Sequence, residues 1–185
     1  TGIVDDSGAS IKERYNGSGA TVMGLNIEGK AAFSRWFQIQ AGATVQRSRY
    51  KEPEVWSDDE SVAPVSRMFR TPNVYGYLTA CFTPVKSFDI DLSGTYTGSM
   101  LVQHMAGSGT ERDTAVETRD FFDLNVKLCY DIRIYKEITM EISAGVRNVF
   151  NAYQRDFDRG ADRDSGYIYG PSMPRSWFAG VKFKF

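Results

Sequence analysis

The chain has 185 residues, a length that suits one domain, and its 22 Lys and Arg against 23 Asp and Glu leave no charge excess that would point to nucleic acid. Aromatic residues make up 14% of the sequence, and 17 glycines stand against only 6 prolines, a balance that favours a β-rich chain. No stretch approaches the ~18 apolar residues of a membrane helix, which excludes helical spans. The two cysteines, Cys81 and Cys129, fit no zinc or redox spacing and are predicted to be unpaired strand residues.

Strict alternation of apolar and polar residues is the strongest signal along the chain. It predicts strands, because successive side chains of a β-strand point to opposite faces. In chain order the predicted strands are residues 21–33, 37–45, 73–82, 88–100, 121–134, 137–146 and 176–185. Several exceed the about 5–6 residues of an ordinary strand and match the ~9–11 that a tilted strand needs to cross a bilayer.

The connections between these strands alternate in length. Short turns are predicted near residues 34–35, 85–86 and 135–136, and long polar loops at roughly 47–70, 104–118 and 151–172. Short turns on one side and long loops on the other are typical of outer-membrane barrels, whereas a soluble sandwich predicts short strands and loops of similar size at both ends. The predicted fold class is therefore all-β: an antiparallel transmembrane β-barrel segment of about seven strands, with short periplasmic turns and long extracellular loops.

Aromatic residues occur where the two boundaries of a membrane would lie. Amphipathic rings favour the level of the lipid headgroups, so these residues are predicted to anchor the barrel. Near the short turns they are Trp36, Phe37, Phe82, Phe88, Tyr135, Phe183 and Phe185, and near the long loops Phe121, Phe122, Phe150 and Trp177. In the last strand, alternation places Phe185 toward lipid and Lys182 and Lys184 toward the interior.

Two stretches near the end of the chain resemble a known family. GVRNVFNAYQ, followed by YGPSMPRSWFAGVKFKF, resembles the C-terminal end of TonB-dependent outer-membrane receptors. The matching residues are Asn148, Val149, Phe150, Asn151, Tyr153, Gly170, Pro171, Arg175, Phe178, Gly180 and Phe185. Upstream, YNGSGATVMGLN resembles another strand of the family, matched at Asn16, Gly17, Ala20 and Gly24, with Asn26 where the family has Glu. YTGSMLVQHMAG resembles a strand end of its Bacteroidetes members.

The resemblance implies part of a barrel of about 22 strands that encloses an N-terminal plug. Such a receptor binds a scarce nutrient outside the cell, such as a ferric siderophore, haem or cobalamin, and TonB opens it from the periplasm. We therefore expect residues 1–185 to be the C-terminal segment of the barrel, with the plug and upstream strands outside it. The expected partners are those parts, the TonB complex, outer-membrane lipid and the nutrient, with no nucleic acid. The expected location is the outer membrane of a Gram-negative cell.

Side chains in the predicted loops are candidates for nutrient capture. Arginines suit an anionic siderophore, a tryptophan ring can stack on a ligand ring, and the single histidine could bind haem iron or sense pH. The candidates are Arg47, Arg49, Trp56, His104, Arg159 and Arg163. The alternative for each is an ordinary solvated loop residue, because loop charges contribute little energy when they are exposed.

No catalytic, metal or cofactor site is predicted. Asp156, Asp158, Asp162 and Asp164 surround Gly160 as in calcium loops, but the EF-hand pattern is incomplete, and neighbouring arginines favour internal ion pairs instead. The single histidine has no signature serine near it, so the chain is not predicted to be an enzyme. Two other interpretations remain open: a small self-contained outer-membrane barrel, either an adhesin or a lipid-modifying enzyme, and a soluble β-sandwich binding module.

Overall fold

The computed structural model describes residues 2–4, 10–12 and 17–185. The described part is built of β-strands, and no helix within it has the length and apolarity needed to span a membrane. In chain order the strands are β1 (Gly2–Val4), β2 (Ser10–Lys12), β3 (Ala20–Ser34), β4 (Phe37–Glu54), β5 (Val65–Arg67), β6 (Val74–Val85), β7 (Phe88–Thr97), β8 (Leu101–His104), β9 (Thr114–Glu117), β10 (Phe121–Tyr135), β11 (Ile138–Arg147) and β12 (Ser176–Lys184).

The seven predicted strands are all present and form one antiparallel sheet. Their order is β12-β11-β10-β7-β6-β4-β3, so strands that follow one another in this set are neighbours in space. Turns at 35–36, 86–87 and 136–137 join three of the pairs at one end, as predicted. Long connections join the others at the opposite end. Within the described residues, β3 and β12 are the two ends of the order, so the sheet is not closed.

The pairing register aligns the alternation of every strand, which gives the sheet one apolar and one polar face. Val126 shows the pattern at the centre, because it lies opposite Leu92 on one side and Val146 on the other. The apolar face includes Met23, Leu25, Ile27, Ile39, Ala43, Val45, Leu78, Phe82, Phe88, Ile90, Leu92, Phe122, Leu124, Val126, Leu128, Tyr130, Met140, Ile142, Val146, Trp177, Val181 and Phe183.

The apolar face is exposed rather than packed. Leu25 is 64% accessible, Val45 59% and Val181 60%, although each has apolar neighbours on the adjacent strand. A β-sandwich would bury such a face against a second sheet about 10 Å away. In the described part of the chain no second sheet covers it, because the two other sheets are small two-stranded pairs, β1-β2 and β8-β9. The arrangement fits a sheet whose apolar side meets lipid.

The polar face carries a ladder of charges. Lys184 Nζ lies 3.0 Å from Asp131 Oδ1 and 2.9 Å from Glu141 Oε2, and Lys127 Nζ is 3.8 Å from the other oxygen of Glu141. Lys184 therefore lies on the polar face, as the alternation predicted; that this face is the interior of a closed barrel stays a prediction. One large apolar ring interrupts the ladder: Phe178 covers Gly145, where any Cβ atom would lie 2.5 Å from the ring.

Three features differ from the sequence prediction. The short strands β1, β2, β5, β8 and β9 were not predicted, and β4 extends to Glu54 instead of residue 45. β4 stays extended because its backbone keeps pairing with β3 as far as Tyr50, opposite Ala20, whatever its side chains are. Phe121 does not belong to the boundary ring: it lies opposite Thr97 on the polar face and is buried. Asn16 of the family-like stretch lies outside the described residues.

Candidate ligand-capture site

The long connections fold together above one end of the sheet. We call residues 55–73, 98–120 and 148–175 the loop layer. Its first two segments meet where Ser57 Oγ donates to Asp113 Oδ2 at 2.6 Å, and Asp113 Oδ1 also accepts from Ala106 N at 2.7 Å. Its last two segments meet where Ser108 N donates to the Asp162 carbonyl at 3.0 Å. Val102, Phe121, Tyr167 and Tyr169 form the buried core of the layer.

Arg70, in the first segment of the loop layer, is hydrogen-bonded to both of the other segments. Its backbone N–H donates to the Leu101 carbonyl at 2.7 Å, and its guanidinium donates to the carbonyls of Ile168, at 2.9 Å, and Gly166. Its φ of 54° lies in the left-handed region, which is uncommon for a residue with a side chain. The local sequence gives no sign of this role, because the contacts of Arg70 join residues nearly a hundred positions apart.

Asp156 is the central acceptor of the layer. Tyr169 Oη donates to its Oδ1 at 2.6 Å, and Tyr167 Oη donates to its Oδ2 at 2.8 Å. Partial burial disfavours the ionised carboxyl, but these two hydrogen bonds outweigh it and hold the pKa of Asp156 below its usual value. Burial, with the hydrogen bond to Asp156, raises the pKa of Tyr169 to about 12 and also raises that of Tyr167. The pair therefore stays protonated and can donate throughout the physiological range.

His104 is buried in the same layer and is not a free loop residue. Its Nε2 is 2.9 Å from Asp158 Oδ1, and its ring stacks on Tyr167 with centroids 3.7 Å apart and an interplanar angle of 4°. The second oxygen of Asp158 accepts from Asp164 N at 3.0 Å. In this arrangement the Nε2 atom of His104 is paired with Asp158 and one ring face is covered by Tyr167. A role of His104 in ligand binding stays a prediction.

The acidic loop around Gly160 does not converge on a cation position. Among the described residues no group of three or more His, Cys, Asp and Glu side chains could hold a metal ion. The expected internal ion pairs are also wrong in detail, because the arginines find other partners. Arg155 lies over the Tyr153 ring at 5.7 Å, Arg159 over the Phe157 ring at 5.2 Å, and Arg163 donates to the Gly160 carbonyl at 3.0 Å.

A cavity of about 590 Å³ opens in the last segment of the loop layer. Tyr153, Phe157, Ile168 and Pro171 give it an apolar lining, and its charged lining residues are Arg163, Asp158 and Asp164. The two carboxylates accept hydrogen bonds from within the loop layer, which leaves Arg163 as the charged group that can contact a ligand. Ligand pockets typically span about 300–1,000 Å³ and combine an apolar lining with a few polar groups. This one suits a ligand with flat or apolar parts and a polar group that Arg163 can contact.

The structure separates the predicted capture residues. Arg163 lines the cavity, and Arg159 lies beside it over Phe157. Trp56 is elsewhere in the layer, where its ring packs edge-on against Phe69 at 5.4 Å and its Nε1 donates to the Ala63 carbonyl at 3.3 Å. Arg47 and Arg49 lie in β4 and not in a loop. They share the apolar face, because Arg47 is opposite Met23 and Arg49 is opposite Thr21.

The asparagines of the family-like stretch define the start of the last loop segment. Asn148 has a φ of 50° and is 1% exposed; its Nδ2 donates to the carbonyls of Ala152 and Met173 at 2.9 Å, and its Oδ1 accepts from Ala152 N at 2.8 Å. Asn151 has a φ of 52°, and its Oδ1 accepts from Arg175 N at 3.0 Å. Asparagine tolerates the left-handed region better than most residues, which accounts for its use at both positions.

Gly170 closes the same segment. Its φ is +86°, and a Cβ atom there would lie 2.8 Å from the Phe121 ring. Glycine is required at this position on both counts, because a side chain would be strained and would displace a ring of the buried core. Sequence reasoning singled out Gly170 from a motif, whereas it missed Tyr167 and Tyr169 and considered Asp156 only as part of an acidic, calcium-like loop. The YIYG stretch beside Gly170 was the available signal for the two tyrosines.

The predicted anchoring residues gather at the short-turn end of the sheet. The Trp36 ring packs edge-on against Phe82 at 5.4 Å, and Phe88 lies 6.5 Å from Tyr130. Tyr135 and Phe183 are exposed, and Phe185 is 93% exposed. At the other end, Phe122 and Phe150 form an exposed pair 5.9 Å apart. Their anchoring role remains a prediction.

Comparison with known proteins identifies the fold that this sheet resembles. No protein-family model matches the chain, and no curated protein matches it. Among solved structures, a mutant of the ferric enterobactin receptor of Pseudomonas aeruginosa matches 88% of this chain with a TM-score of 0.54 and 13% identity. This chain spans 22% of that receptor's length. The likeness, together with the register of the sheet, makes the chain an all-β, antiparallel β-barrel segment.

Proposed function

We propose that the chain is the C-terminal barrel segment of an active-transport receptor of the outer membrane. The receptor takes up a scarce nutrient such as a ferric siderophore, haem or cobalamin with energy supplied by TonB, and it is not an enzyme. The plug domain, the TonB contact and the upstream strands lie in parts of the receptor outside residues 1–185. The apolar face meets lipid, the polar face meets the plug, and the loop layer lies outside the cell.

The observation that carries this proposal is a single sheet with an apolar and a polar face, short turns at one end and the loop layer at the other. A continuous, exposed apolar face supports insertion in lipid, and the two-residue turns and folded loop layer at opposite ends support one orientation across the membrane. The structural likeness to a siderophore receptor over 88% of the chain supports the same class of protein. The cavity beside Arg163 supports a role of this segment in contacting the nutrient.

Binding of candidate nutrients to the purified protein in detergent tests the proposal. Ferric enterobactin, haemin and cyanocobalamin are titrated separately against the parent chain and the Arg163→Glu variant, with Arg112→Glu in another exposed part of the loop layer as the control. We expect one of the three to bind. Reversal of the charge at Arg163 should lower the affinity for an anionic nutrient at least tenfold, equivalent to about 1.4 kcal/mol of binding free energy. The control should bind like the parent.

Two results would count against the capture site. One is equal binding by the parent and the Arg163→Glu variant for an anionic nutrient. The other is the absence of binding by any of the three probes to a preparation that is folded, as judged by its β-sheet circular dichroism. Complete solubility of the native chain without detergent would reject the membrane assignment itself.

A further inference from the structure

Three basic side chains interrupt the apolar face at a single place. Arg47, Arg49 and Lys51 occupy alternate positions of β4, so they share one face. The register puts Arg47 opposite Met23 and Arg49 opposite Thr21, and Lys51 N donates to the Gly19 carbonyl at 3.0 Å. All three side chains are exposed on the side of the sheet that also carries Leu25 and Val45.

The height of these residues on the strand matches a membrane boundary. Phe37, in the aromatic cluster at the short turn, is ten residues before Arg47 in β4. At about 3.3 Å per residue the two are about 33 Å apart along the strand. A barrel strand tilts by about 35–45°, so the distance corresponds to about 23–27 Å of height, close to the apolar band of about 25 Å in outer-membrane barrels. Arg47 therefore lies at the upper edge of the band.

Within the described residues, no ion pair balances the charge at this place. Arg67 of β5 lies opposite Arg49, and it is paired with Glu117 at 2.6 Å. The cations in the ion pairs of the described residues are Arg67, His104, Lys127 and Lys184. In the described part of the chain, Arg47, Arg49 and Lys51 thus place three positive charges at the edge of an apolar surface.

We propose that Arg47, Arg49 and Lys51 form a binding site for the phosphate of a phosphorylated lipid headgroup in the outer leaflet. The inference relies on the proposed membrane function. Guanidinium groups bind phosphate through paired hydrogen bonds, and the apolar residues below them on the same face accommodate the acyl chains. A soluble nutrient is a poorer occupant, because the three side chains point away from the polar face and from the cavity beside Arg163.

Lipid retention measured by native mass spectrometry tests the site. The full chain, purified in a neutral detergent, is titrated with phosphatidic acid and, separately, with phosphatidylcholine of the same acyl chains. We expect preferential retention of phosphatidic acid by the parent. Each basic residue near an anionic lipid contributes about fivefold to binding, so Arg47→Gln/Arg49→Gln/Lys51→Gln should lower the affinity for phosphatidic acid by about a hundredfold.

Matched variants separate the site from general charge and from folding. Arg112→Gln/Arg155→Gln/Arg175→Gln removes the same number of charges from exposed positions of the loop layer and should bind phosphatidic acid like the parent. Arg47→Lys/Arg49→Lys keeps the charge and should retain most of the affinity. If the loop-layer variant lost as much affinity as the β4 variant, binding would reflect net charge and the site would be rejected.

The remaining outcomes distinguish this inference from the function on which it relies. Equal retention of phosphatidic acid and phosphatidylcholine would overturn the phosphate site and leave the membrane assignment intact. Full displacement of the lipid by inorganic phosphate would overturn it in favour of a free-anion site. A chain that stays monodisperse without detergent and retains neither lipid would overturn both proposals.

Discussion

Asn148 illustrates at the scale of one residue why a short motif fixes a local structure. The side chain uses one acceptor and both amide hydrogens to join the two ends of the last loop segment, and its backbone accepts a conformation that most residues avoid. Its own N–H also donates to Asn125 Oδ1 at 3.0 Å, which connects the loop to β10. The sequence identified the position, but only the structure shows that its function is to hold the loop.

Replacement of Asn148 by Ala should therefore be strongly destabilising. Three buried hydrogen bonds are lost, and the carbonyls of Ala152 and Met173 are left without that donor, so we expect a loss of about 2–4 kcal/mol in the free energy of unfolding. Urea unfolding in lipid vesicles measures it. Asn26→Ala, at an exposed position of β3, should change stability by less than about 0.5 kcal/mol. Similar losses in both variants would show that the buried network does not stabilise the protein.

Asp156 makes the loop layer sensitive to acid. Its pKa in the folded protein is lower than the ordinary 3.8, so it stabilises the layer when ionised, and this contribution is lost as the pH falls from about 4 through the lower folded-state value. Hydrogen exchange of Tyr167 and Tyr169 amides, expressed as protection factors, should fall over that window. Asp156→Asn should remove this pH dependence, and Asp58→Asn should retain it. Unchanged protection of the parent between about pH 5 and pH 2 would contradict the assignment.

At the scale of the elements, the two faces of each strand have different tasks. On β10, Val126 packs between Leu92 and Val146, whereas its neighbour Lys127 belongs to the charge ladder with Glu141. A shift of one residue in the register would exchange these faces, so the alternation and the pairing must agree on every strand. Their agreement across seven strands makes the sheet a two-sided element.

A charge on the apolar face of β10 tests which side meets lipid. Val126→Arg should lose about 2–4 kcal/mol of stability in lipid vesicles, because the arginine would be placed near the middle of the apolar band. Thr95→Arg, at an exposed position of the polar face of β7, is the matched control and should fold like the parent. Insertion and stability equal to the parent for Val126→Arg would mean that the apolar face does not meet lipid.

At the scale of the whole molecule, the sheet has an unusual distribution of buried residues. Among the described residues, the few buried apolar side chains lie mainly in the loop layer and not between two packed sheets. Such a structure is expected for a barrel wall, whose outer side is solvated by lipid and whose inner side is polar. The open edges at β3 and β12 carry unpaired backbone groups in the described part, which further strands of a barrel would satisfy.

The sequence by itself determined the strands of the sheet, its two faces, and which of its ends has short turns and which has long loops. Alternation with period two is a local property, so residues 21–33, 88–100 or 121–134 could be assigned without knowledge of their neighbours. The short turns and the family-like asparagines were also visible, because both depend on residues close in the chain. The same reasoning missed β5, β8 and β9. β5 depends on the extended end of β4, and β8 and β9 pair with each other within the loop layer, so none has a local signal.

Only the tertiary structure decided the roles of the polar loop residues. The sequence predicted a loop for Arg47 and Arg49, but continued backbone pairing with β3 keeps them in β4 and places their side chains on the apolar face. His104 and the acidic residues near Gly160 suggested metal chemistry, whereas their partners are protein groups of the loop layer. His104 contacts Asp158 and Tyr167, Asp156 accepts from Tyr167 and Tyr169, and Asp164 accepts from backbone N–H groups. The physical reason is the same in each case: a hydrogen bond or stacking contact depends on distance in space, and residues far apart in the sequence carry no record of it in their local pattern.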